Sequence, residues 1–126
     1  MKGINQVFLL GRVGQPPELK ILSTGKAVCT FSVATHRFVR DGEDFKEETD
    51  WIDVKVWDRQ AEIAEQFIRK GDPVAIQGRL RTEAWVNADG QHRSRQYVYG
   101  RDLTLLPSGT RTEAPEAGAD DQADGF

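Results

Sequence analysis

Short apolar runs separated by turn residues constrain the fold of this chain more than any other feature. Glycine, proline, aspartate and serine recur between the runs, a punctuation that is typical of all-β proteins. The predicted runs are residues 4–13, 18–22, 27–35, 50–57, 74–85 and 93–106. The Ala-Asp-Gly sequence at 88–90 predicts a hairpin turn between the last two, because Asp and Gly tolerate positive φ.

One segment departs from this pattern and predicts a helix of about three turns at residues 59–70. Alanine and large apolar residues recur there at spacings of three and four, from Ala61 to Ile68. Asp58 is placed to cap the N-terminus, and the Arg-Lys-Gly sequence at 69–71 gives a basic end closed by glycine.

The resulting order of elements indicates an OB-fold. Roughly five β-segments with one helix between the third and fourth strands is the order of this five-stranded Greek-key barrel. Gly11, Gly14 and Gly78 suit the bulges and bends through which such a barrel curls. SH3-like barrels and small sandwiches also consist of short strands, so the order alone leaves them open.

The strand at residues 50–57 carries the strongest functional signal. Its isoleucine and two valines alternate with Trp51, Lys55 and Trp57, so the aliphatic face is predicted to be core and the indoles lie on the other. Single-stranded nucleic acid would cover such a face, since bases stack on indoles at about 1–3 kcal/mol per base. The alternative is that the tryptophans pack under the helix, under a hairpin at 38–48 or in a subunit interface.

A second group of aromatic and basic residues extends this prediction. Arg79 and Arg81 share one face of the next predicted strand, with Trp85 just beyond them. The candidate DNA-binding residues are Trp51, Trp57, Trp85, Phe38, Arg37, Lys55, Arg59, Arg79 and Arg81. Arg93 and Arg95 are candidates to continue the track, whereas packing explains Tyr97 and Tyr99 equally well.

The formal charge of −3 is unevenly distributed. Residues 107–126 contain Arg111 and five acidic residues, whereas residues 1–106 are nearly neutral. The sequence therefore predicts a folded domain at 1–106 and a disordered acidic tail at 107–126. Asp120, Asp121, Asp124 and Phe126 would suit an apolar pocket with a basic rim on a partner protein.

No motif for catalysis or for a cofactor is found. Cys29 lies in a predicted core alternation, and with only His36 and His92 beside it a structural zinc site would lack ligands. The chain has no glycine-rich phosphate loop, no membrane-spanning apolar run and no signal peptide, so we expect a cytoplasmic protein that is not an enzyme and binds no metal. If it binds DNA, as the tryptophan face predicts, we expect it to be nucleoid-associated. Two alternatives remain: a primosomal or RNA-binding OB protein, and a small hydrolase or deaminase on the same barrel.

Three blocks of sequence resemble the bacterial single-stranded DNA-binding protein (SSB) family. They are GINQVFLLGRVGQ at 3–15, TDWIDVKVW at 49–57, and FIRKG at 67–71 continuing through VAIQGRLRT to Trp85. The likeness spans residues 1–106. It implies an OB barrel, assembled as a homotetramer, that binds single-stranded DNA during replication, recombination and repair. It also implies that Trp51, Trp57 and Trp85 stack on bases, and that the tail recruits replication and repair enzymes.

The chain departs from the family pattern at several positions. Val39, beside Phe38, stands near a place where relatives often have tryptophan, and Ile52 where some have a histidine involved in subunit contacts. The tail is short and has Gly125 before Phe126, where relatives commonly have Ile-Pro.

Overall fold

The structure is a computed structural model that describes residues 1–107. Its elements follow the predicted order, with one helix between the third and fourth of five strands. They are β1 (Val7–Ile21), β2 (Ala27–Asp41), β3 (Asp44–Trp57), α1 (Asp58–Phe67), β4 (Pro73–Val86) and β5 (His92–Leu105). Within this part of the chain, no helix has both the length and the apolar character needed to cross a membrane.

The strands close into a barrel in the order β1-β2-β3-β5-β4. β1 completes the ring because it pairs with β2 along part of its length and with β4 along another. All neighbours are antiparallel except β3 and β5, which run parallel and meet at two residue pairs, Val54 with Val98 and Lys55 with Tyr99. This five-stranded barrel with its single helix confirms the predicted OB-fold.

Alternating residues of the strands fill the barrel, and the helix covers one end. Val54 and Val56 of β3 are fully buried, which confirms the aliphatic face predicted for this strand. Ala61, Ala64 and Ile68 join the same core from α1 and the residue that follows it. The strand contributions to this buried cluster are Leu9, Val13, Ala27, Cys29, Phe31, Val33, Val54, Val56, Val74, Ile76 and Val98.

β1 to β4 are longer than the sequence predicted, whereas β5 has its predicted length. The runs at 4–13 and 18–22 form one continuous β1, whose pairing with β2 is irregular between Val13 and Gln15 and again between Gln15 and Glu18. Two prolines lie in the second irregularity, where a missing backbone N–H costs no ladder hydrogen bond. β2 and β3 extend to a hairpin turn at Asp41–Asp44, because Gly42 adopts the positive φ of 67° that the turn requires.

The helix is shorter than predicted at its C-terminal end, and it is not capped as predicted. It ends at Phe67 because Ile68 turns to extended backbone, at φ −90° and ψ 134°, and buries its side chain in the core. Asp58 is the first helical residue instead of the N-cap; it has a positive φ of 55°, and no side chain caps the helix.

Side-chain amides extend two strand ladders. The Gln60 amide of α1 donates to the Arg101 carbonyl oxygen and accepts from the Leu103 N–H at 2.6 Å, which fastens the helix to β5. Asn5 does the same for β4, donating to the Leu80 carbonyl and accepting from the Leu80 N–H, each at 2.9 Å. Each amide therefore satisfies two backbone groups beyond the point where the neighbouring strand stops pairing.

Candidate nucleic-acid interface

The outward side chains of β3, β5 and β4 form one continuous surface. The pairing of the strands places Lys55 beside Tyr99, Tyr99 beside Arg79, and Tyr97 beside Arg81. Farther along the β4–β5 hairpin, Arg95 lies opposite Glu83. We call this surface the aromatic–cationic face; its members are Lys55, Trp57, Arg79, Arg81, Glu83, Trp85, Arg95, Tyr97 and Tyr99.

Cations lie over the aromatic rings of this face. The guanidinium carbons of Arg79 and Arg81 are each 5.6 Å from the centroid of the Tyr99 ring. Lys55 Nζ lies 4.7 Å from the centroid of Tyr97, and the guanidinium carbon of Arg95 lies 5.9 Å from that of Trp85. These distances are within reach of cation–π attraction, so charge and π-surface are interleaved along the face.

Trp57 is held more firmly than Trp85. Its ring stacks on Tyr99, with centroids 6.0 Å apart and planes 26° apart, and its side chain is half-buried. Its buried Nε1 has no hydrogen-bond partner among the described residues. Trp85, in contrast, is 42% exposed and presents more of its indole to solvent.

One carboxylate, that of Glu83, lies among these cations. Its Oε1 accepts a hydrogen bond from Lys55 Nζ at 3.1 Å and lies 3.6 Å from Arg95 Nε. The hydrogen bond from Lys55 is the main reason why the pKa of Glu83 is lowered, and the charges of Lys55 and Arg95 act in the same direction. Lys55, one of the candidate DNA-binding residues predicted from the sequence, is thus already ion-paired.

Trp51 and Phe38 form a second exposed patch, on the outer side of the β2–β3 hairpin. Trp51 is 63% exposed and lies against Gly14, where any side chain at position 14 would collide with the indole. Phe38 projects from the same side of the hairpin and is 73% exposed. Trp51 and Trp57 are six residues apart, which is about 20 Å on an extended strand.

The structure separates Arg37 from this patch. Arg37 and Phe38 are neighbours in sequence, so their side chains leave the strand on opposite sides. Arg37 forms ion pairs with Glu48 and Asp50, each at 3.0 Å. Arg59 lies exposed in the first turn of α1, two residues after Trp57.

The sequence underestimated the contribution of β5. Tyr97 and Tyr99 were equally well explained by packing, yet they are the rings on which Lys55, Arg79 and Arg81 converge. The alternation of residues 93, 95, 97 and 99 placed them on one strand face, but only the pairing of β5 with both β3 and β4 shows what that face contacts.

Elsewhere the structure offers little that could support chemistry. Cys29 is fully buried, and among residues 1–107 no group of three His, Cys, Asp or Glu side chains is arranged to hold a metal ion. His36 lies at the surface, with Nδ1 3.0 Å from Thr49 Oγ1 and 3.3 Å from Glu47. A shallow cavity of about 350 Å³ near the tip of the β4–β5 hairpin is lined in part by Trp85 and Arg93, so it adjoins the aromatic–cationic face.

Comparison with known proteins identifies the family. The model of the single-strand binding protein family matches residues 4–106. The chain belongs to this family. The match covers every strand of the barrel and its helix, and it confirms the resemblance drawn from the three sequence blocks.

Individual members of the family agree with this assignment. The chain is 40% identical over 108 residues to the single-stranded DNA-binding protein of Treponema pallidum (strain Nichols), an alignment that covers 86% of this chain and 61% of that relative. The matched region is therefore less than two thirds of that relative's length. Among solved structures, the Plasmodium falciparum SSB complex with ssDNA is similar at a TM-score of 0.77 and 35% identity. That match covers 85% of this chain and 98% of the Plasmodium chain.

Proposed function

We propose that this member of the single-strand binding protein family binds single-stranded DNA without sequence specificity. The observation that carries the proposal is the aromatic–cationic face, on which indole and phenol rings alternate with lysine and arginine. Family membership and the similarity to an SSB–ssDNA complex support it. Every base has a π-face, so a site built from rings and cations binds a strand without selecting its sequence.

In this proposal the rings and the cations have separate tasks. Trp57 and Trp85 stack on bases, while Arg79 and Arg81 contact phosphates from positions held by the β4–β5 hairpin. Because all of these residues project from paired strands, the barrel fixes their spacing before DNA arrives, and little ordering cost remains on binding.

We also propose that the bound strand continues over the β2–β3 hairpin. Trp51 and Phe38 supply exposed rings there, and Arg59 lies exposed beyond Trp57. Arg37 would contribute only after releasing Glu48 and Asp50, so we expect it to add less affinity than Arg79 or Arg81.

A fluorescence titration with oligo-dT tests the proposal. Binding should quench tryptophan emission, and Trp51→Ala, Trp57→Ala and Trp85→Ala should each weaken binding by about 1–3 kcal/mol. Phe67→Ala is a matched control, because Phe67 is 56% exposed on α1 and lies outside both patches. Unchanged emission with oligo-dT, or equal affinity for duplex DNA of the same length, would contradict the proposal. Oligo-rU of matched length tests the RNA-binding alternative.

The family resemblance further leads us to propose a homo-oligomer, most simply a tetramer. Phe8 and Leu10 project from the outer side of the first part of β1 and are 70% and 48% exposed, so they place large apolar side chains next to each other at the surface. Measuring the mass in solution decides the oligomeric state. A mass equal to one chain would overturn the proposal.

The proposed cellular role is DNA replication, recombination and repair in the cytoplasm, with no catalytic step and no cofactor. Recruitment of replication and repair enzymes through Asp120, Asp121, Asp124 and Phe126 rests on the sequence alone, since these residues lie outside the described part of the chain. Stoichiometric binding of an oligonucleotide without turnover supports this role, whereas hydrolysis or deamination of the oligonucleotide would favour an enzyme.

A further inference from the structure

Glu83 is the acidic residue that forms ion pairs with the cations of the aromatic–cationic face. We propose that Glu83 acts as a carboxylate latch: in the DNA-free protein it holds Lys55 and Arg95, and a phosphate of the bound strand takes its place. The inference rests on the proposed function and names a residue that sets the affinity of that site and its dependence on salt.

A single carboxylate oxygen holds both cations. Glu83 Oε1 lies 3.1 Å from Lys55 Nζ and 3.6 Å from Arg95 Nε. A phosphate oxygen is also an anionic acceptor, so the same two donors suit it without rearrangement of the strands. The hydrogen bond from Lys55 lowers the pKa of Glu83, so the carboxylate is ionised at neutral pH.

The latched cations also cover two of the rings. Lys55 Nζ lies over Tyr97 at 4.7 Å from its centroid, and the Arg95 guanidinium lies over Trp85 at 5.9 Å. A base cannot stack on a ring face that a cation occupies. Release from Glu83 therefore does two things at once: it frees the cations for phosphate, and it opens ring surface at Trp85 for a base.

The two cations differ in how far they can move. The Lys55 side chain is only 18% exposed, so its ammonium stays near β5 after release, whereas the Arg95 side chain is 50% exposed and can swing outward. Lys55 therefore binds the phosphate without leaving its position in the DNA-free protein. Arg95 is the cation whose departure uncovers Trp85.

Replacement of Glu83 by a phosphate should lower the number of ions released when DNA binds. When a phosphate replaces Glu83, the displaced carboxylate stands beside a polyanion and takes up a counter-ion, so fewer ions are released than the number of basic residues suggests. Removing the carboxylate should thus tighten binding and steepen its salt dependence. Because these are partly exposed ion pairs, the gain in affinity should be about 2- to 10-fold.

Glu83→Gln tests the latch, since it keeps the shape of the side chain and removes its charge. We expect oligo-dT to bind about 2- to 10-fold more tightly between about 50 mM and about 200 mM salt, with a slope of log affinity against log salt steeper by about 0.7 to 1.4. Glu62→Gln is the matched control: it removes one carboxylate from the exposed side of α1, away from the face. Glu62→Gln should change neither the affinity for oligo-dT nor the slope of log affinity against log salt, apart from the small effect of removing one negative charge.

The outcomes separate the latch from the proposed function. If the wild-type protein binds oligo-dT but Glu83→Gln behaves like Glu62→Gln, the latch is wrong and the proposed function stands. Weaker binding of oligo-dT by a folded Glu83→Gln also overturns the latch, because the carboxylate then only positions the cations. If Glu83→Gln weakens oligo-dC but not oligo-dT, Glu83 accepts hydrogen bonds from base amino groups, and the latch is again excluded. Failure of the wild-type protein to bind any strand removes the proposed function itself.

Discussion

Cys29 illustrates how the core controls the chemistry of a single residue. Its side chain is fully buried between β1 and β3, as the alternation of its strand predicted. Desolvation is the main cause that raises the pKa of the thiol to about 11, and the charge of Glu65 adds to it. A thiol in this state has almost no thiolate at neutral pH, which makes it unreactive as a nucleophile.

The stability of the protein should consequently fall in alkaline solution. The thiol ionises near 9.0 in the unfolded chain and near 11 in the folded one, so between these values only the unfolded state loses the proton. The free energy of unfolding should fall by about 1.4 kcal/mol per pH unit over this range from Cys29 alone. Urea unfolding of the wild type and of Cys29→Ala from about pH 8 to about pH 11 measures it. The cavity in Cys29→Ala lowers its free energy of unfolding by an amount that does not depend on pH. Curves of unfolding free energy against pH that stay parallel for the two proteins would therefore contradict the prediction.

At the scale of elements, one side-chain amide, that of Gln60, joins α1 to β5. The sequence predicted the helix from its apolar spacing and predicted the strands from their alternation, because both periodicities are local. It could not show that Gln60 pairs with the backbone of β5, since the partners at Arg101 and Leu103 are far away in sequence. The same limit explains why Glu83 was not recognised as part of the site, why Tyr97 and Tyr99 were left open, and why Arg95 was only a candidate extension.

Gln60→Ala should destabilise the fold by about 1–3 kcal/mol, because it leaves the half-buried N–H of Leu103 and the exposed carbonyl of Arg101 without their partner. Gln66→Ala is the control on the same helix, at an exposed position. Chemical denaturation of both variants measures the difference. Equal stability of the two would show that water replaces the Gln60 amide without cost.

For the molecule as a whole, charge is divided between the barrel and the remainder of the chain. Residues 107–126 hold five acidic side chains, whereas the barrel is nearly neutral and places Arg79, Arg81 and Arg95 together on the aromatic–cationic face. A nearly neutral barrel can bind a polyanion because the local potential, and not the net charge of −3, acts on a strand at contact distance.

A chain ending at Leu106 should therefore keep its fold and bind oligo-dT at least as tightly as the full chain, with any gain confined to low salt. Deleting Phe126 alone should leave DNA affinity unchanged, because nearly all of the acidic charge remains. Parallel titrations of the three proteins, with thermal melting as a check of folding, test both statements. A large loss of DNA affinity on truncation would show that the removed residues are part of the binding fold.

The parallel contact between β3 and β5 has a consequence for how the barrel opens. Only two residue pairs join these strands directly, and the contact passes through the aromatic–cationic face, with Lys55 and Trp57 on one side and Tyr97 and Tyr99 on the other. A strand of DNA that contacts both β3 and β5 would hold together the two neighbouring strands of the barrel that share the fewest paired residues. Amide hydrogens near Val54 and Val98 should then exchange with deuterium more slowly when oligo-dT is bound, while those in the longer β2–β3 ladder change little. Bound DNA would in this way stabilise the barrel against local opening between β3 and β5.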